Sequence, residues 1–120
     1  MTCRRETGTA VVVALAAEID LTNCEQACGQ LDAAFACGAA VVVADLTSTW
    51  FCDCASLRRL LAVQQRAASC GGQLRLAMPT GSQVRRLASL TGLDKPLHIY
   101  PSVRGATARF GRPVHRAQAG

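Results

Sequence analysis

Gly38-Ala39-Ala40-Val41-Val42-Val43-Ala44-Asp45 is the stretch that decides the fold. A glycine suited to ending a helix is followed by six apolar residues, three of them valines, and an aspartate closes the run. Continuous apolar runs of β-branched residues suit strands buried on both faces, as in parallel sheets. Upstream, residues 9–17 form a similar run with valines at 11, 12 and 13. Between the two, Cys24, Ala27, Cys28, Leu31, Ala34 and Phe35 recur at helical spacing after Asp20-Leu21-Thr22-Asn23, which offers capping side chains. A strand, a helix over 23–36 and a second strand over 39–45 therefore follow one another.

The same alternation continues downstream. Residues 45–52 form a connection rich in Thr and Ser that carries Trp50 and Phe51. Asp53 is placed to cap a helix over 54–69, with Leu57, Leu60, Leu61, Gln64 and Ala68 along one face. Gly71-Gly72 ends it, and a third core strand over 74–77 follows. Pro79-Thr80-Gly81-Ser82 turns the chain into a helix over 82–90, and a last strand is expected at 97–100, then a short helix at 102–109. At the other end, residues 2–5 are expected to pair with the first strand through a hairpin at Glu6-Thr7-Gly8. The pattern predicts one α/β domain over residues 2–108, a mixed but largely parallel sheet packed by helices, with right-handed crossovers. Residues 109–120 lack apolar periodicity and are expected to form a disordered basic tail.

Composition narrows the function classes. The chain has 120 residues, half of them hydrophobic, enough for one packed core. No apolar run approaches the roughly 20 residues of a membrane span, and the run at 11–17 is closed at once by Glu18 and Asp20, unlike a secretory signal. A cytoplasmic protein without a membrane partner is expected. The net charge of +5 comes largely from Arg104, Arg109, Arg112 and Arg116, beyond Tyr100, where no acidic residue occurs. With 4% aromatic residues and a nearly neutral body, no specific nucleic-acid surface is expected.

Seven cysteines in such a chain are expected to be reduced thiols and, for the most part, small buried hydrophobes. No CxxC pair is present and both histidines lie late in the chain, so no metal and no cofactor are expected. Glycine-rich phosphate loops are absent after the first strand. His98, read as a mid-strand residue, has no nucleophile to serve, so no catalytic residues are assigned. Asp20, Asp45 and Asp53 each stand at the carboxyl end of an expected strand, the edge where open α/β sheets bind ligands and partners. Asp45 is read as a turn former, while Asp20 and Asp53 are read as both caps and contacts.

The most informative segment is Trp50-Phe51-Cys52-Asp53-Cys54-Ala55-Ser56-Leu57, where apolar bulk leads into an acidic cap and three small residues open a helix. Here the chain resembles a STAS domain of the kind found in bacterial anti-sigma factor antagonists. Glu18-Ile19-Asp20-Leu21 is similar to that family's first-strand exit, usually Gly-Glu-Leu-Asp-Leu, with Ala17 in place of the glycine. Val41-Val42-Val43-Ala44-Asp45-Leu46-Thr47 resembles its second strand ending in Asp-Leu-Ser. Phe51-Cys52-Asp53-Cys54-Ala55-Ser56-Leu57 resembles its site motif, commonly Phe-Leu-Asp-Ser-Ser-Gly-Leu. Gly71-Gly72-Gln73-Leu74-Arg75-Leu76 and Leu90-Thr91-Gly92-Leu93-Asp94 follow in the same order.

The resemblance implies a non-enzymatic module that binds an anti-sigma factor or serine-kinase-like protein, and is released when the second serine of the motif is phosphorylated. Cys54 stands for the first serine, Ala55 for the phosphorylated one and Ser56 for the glycine. Ser56 is the substitute acceptor, but one helical step turns its side chain by roughly 100°, so its phosphorylation is not expected. The implied contact surface comprises Asp20, Thr22, Asp53, Cys54 and Ser56, with Arg58 and Arg59 on the flanking helix. The alternative reading is a thiol or ligand sensor that uses Cys52 and Cys54.

Overall fold

The computed structural model describes residues 10–108 and the backbone of 115–118. Strand β1 (Ala10–Ala14) leads into a two-residue strand β2 (Glu18–Ile19), helix α1 (Cys24–Ala36), strand β3 (Val41–Asp45) and a second short strand β4 (Phe51–Cys52). Helix α2 (Cys54–Ser69), strand β5 (Gln73–Ala77), helix α3 (Gln83–Leu90), strand β6 (Ile99–Tyr100), helix α4 (Val103–Thr107) and strand β7 (His115–Gln118) follow. The expected strands at 9–17, 39–45, 74–77 and 97–100 and helices at 23–36, 54–69 and 82–90 all have counterparts. The hairpin at 2–5 lies outside the described residues.

The main sheet has the order β6-β5-β3-β1-β7, and every described pairing in it is parallel. Within it, β1, β3, β5 and β6 add in one direction. With crossovers of one hand, that progression puts α1, α2 and α3 on the same face. The strands show what this requires. Val42, Ala44 and Leu46, with Leu74, Leu76 and Met78, belong to the core beneath those three helices. The alternate residues Val41, Val43 and Ala77 join Ala10 and Val12 in a smaller cluster under Ala106 of α4. Two buried faces explain why the valine runs have no polar alternation.

Two polar side chains help to lock these layers, and the sequence pattern announces neither in that role. Arg75 points to the α4 face, is almost fully buried and donates to the Ala106 carbonyl at 2.7 Å. It also donates to Gln73 Oε1 and lies 5.3 Å from the centroid of the Tyr100 ring. Gln64, buried in mid-α2, donates to the Pro96 carbonyl at 2.8 Å and accepts the His98 amide at 2.9 Å, which ties the approach to β6 onto α2. His98 precedes β6, and its side chain is exposed rather than set within a strand. Gly71 has φ +82°, the left-handed conformation that a side chain disfavours, at the end of α2.

Two sequence expectations are corrected. Residues 109–120 lack the pattern of a folded segment, yet the backbone of His115–Gln118 pairs in parallel with β1. Strand addition at an open sheet edge uses backbone groups, so it needs no apolar periodicity in the added segment. Cys70 is disulfide-bonded, contrary to the expectation that all seven cysteines are reduced. Cys24, Cys28, Cys37, Cys52 and Cys54 are free thiols.

Candidate functional site

The site is built where the chain leaves the sheet twice and begins a helix twice. From the sequence, residues 45–52 read as a plain connection. Instead, Phe51–Cys52 forms β4 and pairs in parallel with β2, Glu18 opposite Phe51 and Ile19 opposite Cys52. The Thr49 hydroxyl donates to the Ala16 carbonyl at 2.8 Å, and the Trp50 amide donates to the Ala17 carbonyl at 2.9 Å. The Asp53 amide then donates to the Ile19 carbonyl at 3.2 Å. This small sheet brings the Asp20 turn and the start of α2 to one edge.

The two helix starts are wired differently. Asp53 is an N-cap in extended conformation, and its carboxylate accepts the Ser56 amide at 2.8 Å. That bond satisfies one of the otherwise unpaired amides of the first helical turn. Asp20 does not cap α1. Its carboxylate accepts the Thr22 hydroxyl and, at 2.9 Å, the Thr22 amide, forming a local turn. These bonds, the hydroxyl first, hold the Asp20 carboxyl below its ordinary value. Asn23 occupies the cap position of α1 without a capping bond. Its side chain reaches back instead, accepting the Asp20 amide at 2.9 Å and donating to the Glu18 carbonyl at 2.8 Å. Asp45 is buried and accepts both the Thr47 amide and hydroxyl, as befits a turn former.

The expected contact residues separate into three groups by burial. Thr22, Arg58 and Arg59 are exposed, and Asp20, Asp53 and Cys54 are half-buried. Arg59 is paired with Glu25 of α1, and two turns later Arg66 binds Asp32 at 2.9 Å. Exposed pairs of this kind contribute about 0.2–1 kcal/mol each, so they align α1 with α2 more than they stabilise the domain. Ala55, at the phosphoacceptor position, is exposed. Ser56 is corrected as a contact: it is 0% exposed and its hydroxyl has no hydrogen-bond partner among the described residues. It lies four residues before Leu60 and seven before Val63, on the face that α2 packs into the core. That spacing is present in the sequence.

The thiols are set by burial. Cys52 is 4% exposed, and its pKa is pushed up to about 12 by that burial first and by the neighbouring Asp53 carboxylate second. Burial likewise raises Cys28 to about 11. Among the described residues no three His, Cys, Asp or Glu side chains converge as a metal site would require. No described helix is long and apolar enough to cross a membrane.

A family model described as "Mlab, STAS domain" matches residues 3–101. The chain belongs to the STAS family. The match spans the starts of both helices, so the STAS domain contains the whole edge described above, and its parallel sheet with helices is the STAS fold. STAS domains are generally non-enzymatic binding modules. A comparison with curated proteins returned no match.

Proposed function

We propose that this STAS domain is a non-enzymatic protein that binds a kinase-like anti-sigma factor, and that phosphorylation at the family position does not release it. One observation carries the reading. The β2–β4 pairing sets the Asp20–Thr22 turn beside the Asp53-capped start of α2, giving one edge on which Ala55 is exposed. In the phosphorylated relatives that the motif resembles, a dianion at this point disrupts a docked surface by repulsion and desolvation. Ala55 offers no hydroxyl. The neighbouring Ser56 hydroxyl is buried, so a kinase that must align a phosphate with it has no line of approach.

The sensor alternative loses its first residue. A thiol with a pKa near 12 is almost wholly protonated at neutral pH and reacts slowly. Iodoacetamide at pH 8 is expected to modify exposed Cys37 first and to leave Cys52 untouched until the protein unfolds, as read by peptide mass mapping.

The test of the main reading uses the purified kinase-like anti-sigma protein from the same organism. Charge reversal at the edge, Arg58→Glu, is expected to slow association more than Arg112→Glu with Arg116→Glu in the C-terminal segment. Incubation with that kinase and ATP is expected to leave the intact mass unchanged and the complex assembled. Loss of binding from the C-terminal pair alone would reassign the surface, and a stoichiometric phosphate on Ser56 would show that the switch had moved by one residue.

A further inference from the structure

Next to the polar edge the surface changes character. Four large hydrophobic side chains are exposed among the described residues: Leu21, Trp50, Phe51 and Leu90. Scattered singly, such residues need no explanation, but three of these four line one groove of about 360 Å³. Trp50 and Phe51 form one wall, with ring centroids 6.0 Å apart and planes tilted by 53°. Arg86, Leu87 and Leu90 of α3 form the other, and buried Cys52 lies at the base. The spacing of three and four residues puts all three α3 side chains on one face of that helix.

The groove is open, with Trp50 55% and Leu90 76% exposed. Its volume is near the bottom of the roughly 300–1,000 Å³ range of small-molecule sites, so it holds two or three side chains rather than an enclosed ligand. Charge then selects the occupant. Arg86 is exposed in the wall and has no carboxylate within ion-pair distance among the described residues, whereas its neighbour Arg85 faces Asp94. A symmetric dimer across this groove would bring Arg86 towards its own copy, which charge disfavours. A bilayer is flat and would not fill a concavity between a strand end and a helix.

We infer that this groove docks an amphipathic helix of a protein partner, with two apolar side chains between Trp50 and Leu90 and a carboxylate on Arg86. This mode uses helical anchors one turn apart. It is independent of the anti-sigma reading, because it requires only that chemistry and not a kinase. It also gives β4 two roles, since Phe51 and Cys52 line the groove and lead directly into the Asp53 cap.

The experiment is a selection on the full-length protein from a displayed library of helical peptides with leucines fixed four residues apart and flanking positions randomised. The winning peptide is then titrated while the emission of Trp50, the chain's single tryptophan, is followed. Winners are expected to carry Asp or Glu at one spacing from the leucines and to shift Trp50 emission to the blue. Leu90→Glu is expected to weaken binding by about tenfold or more, the scale of losing one anchor. Arg86→Glu should do the same and should prefer the peptide whose acid is changed to Lys. Leu90 and Arg86 are exposed, and thermal melts of both variants check that the fold persists. Winners without an acidic preference, or undiminished by Leu90→Glu, would overturn the inference. So would a concentration-dependent Trp50 shift without peptide, which would mean self-association. An equal shift with phosphatidylglycerol vesicles would overturn it too, in favour of a membrane surface. Because no kinase is present, failure here leaves the reading of the polar edge untouched.

Discussion

The starts of α1 and α2 sit side by side, each preceded by an aspartate, yet they are built on opposite principles. At α2 the carboxylate of Asp53 turns inward to the helix and caps the amide of Ser56, whose side chain is buried. At α1 the carboxylate of Asp20 folds onto exposed Thr22, and Asn23 reaches backward to β2 rather than forward to the helix. One is part of the core's construction and the other is a surface turn held from behind. The same residue type in the same topological place therefore has a structural duty in one case and a free face in the other.

The sharpest way to break this comparison is to place a charge on each side. Ser56→Asp puts a carboxylate at a fully buried position and is expected to cost about 3 kcal/mol or more of unfolding free energy. Thr22→Asp, on the exposed turn, should cost far less; urea denaturation of both variants measures the gap. Equal costs would mean that Ser56 is not enclosed.

Removing the caps comes next. Asp53→Ala is expected to lower stability by about 1 kcal/mol, with Asp53→Ser recovering most of it. Asp20→Ala should produce a smaller shift in the same denaturation assay, because it breaks a turn and leaves the helix amides as they were. A larger loss at Asp20 than at Asp53 would reverse the assignment of duties.

A finer test is Ser56→Ala. The hydroxyl is buried with no partner among the described residues, so deleting it is expected to be neutral or to stabilise by up to roughly 1 kcal/mol. A clear destabilisation would reveal a hydrogen bond to that hydroxyl in solution.

The smallest effect is one of pH. The folded-state pKa of Asp20 lies below its unfolded value, so its contribution is present above the usual carboxylate range and is lost as pH falls through the lowered value. The stability difference between wild type and Asp20→Asn should accordingly be visible at neutral pH and vanish in acid. A difference that grows in acid would contradict the turn geometry.

How much of this is legible in the sequence follows from the range of each interaction. The start of α2 is readable because an N-cap joins residues three apart in sequence. The start of α1 misleads because Asn23 is engaged by the backbone of β2, a contact that capping chemistry alone does not announce. Strands β2 and β4 have two residues each, too few for a period, and only their pairing reveals them. Resemblance alone assigns Ser56 to the surface, although its spacing from Leu60 and Val63 places it on the buried stripe.

The amino-acid sequence by itself determined the order of the core strands β1, β3, β5 and β6 and of the helices between them, and the two-sided burial of the valine strands. Those properties come from periodicities and caps that act within a few residues. Only the tertiary structure decided that Asp53 lies beside Ile19, that Arg75 locks α4 to the sheet and that Cys52 is withdrawn from solvent. It also decided that Trp50 faces Leu90 across a groove. Each of these depends on two segments distant in the chain meeting at a given rotation, and packing sets that rotation where local preference does not.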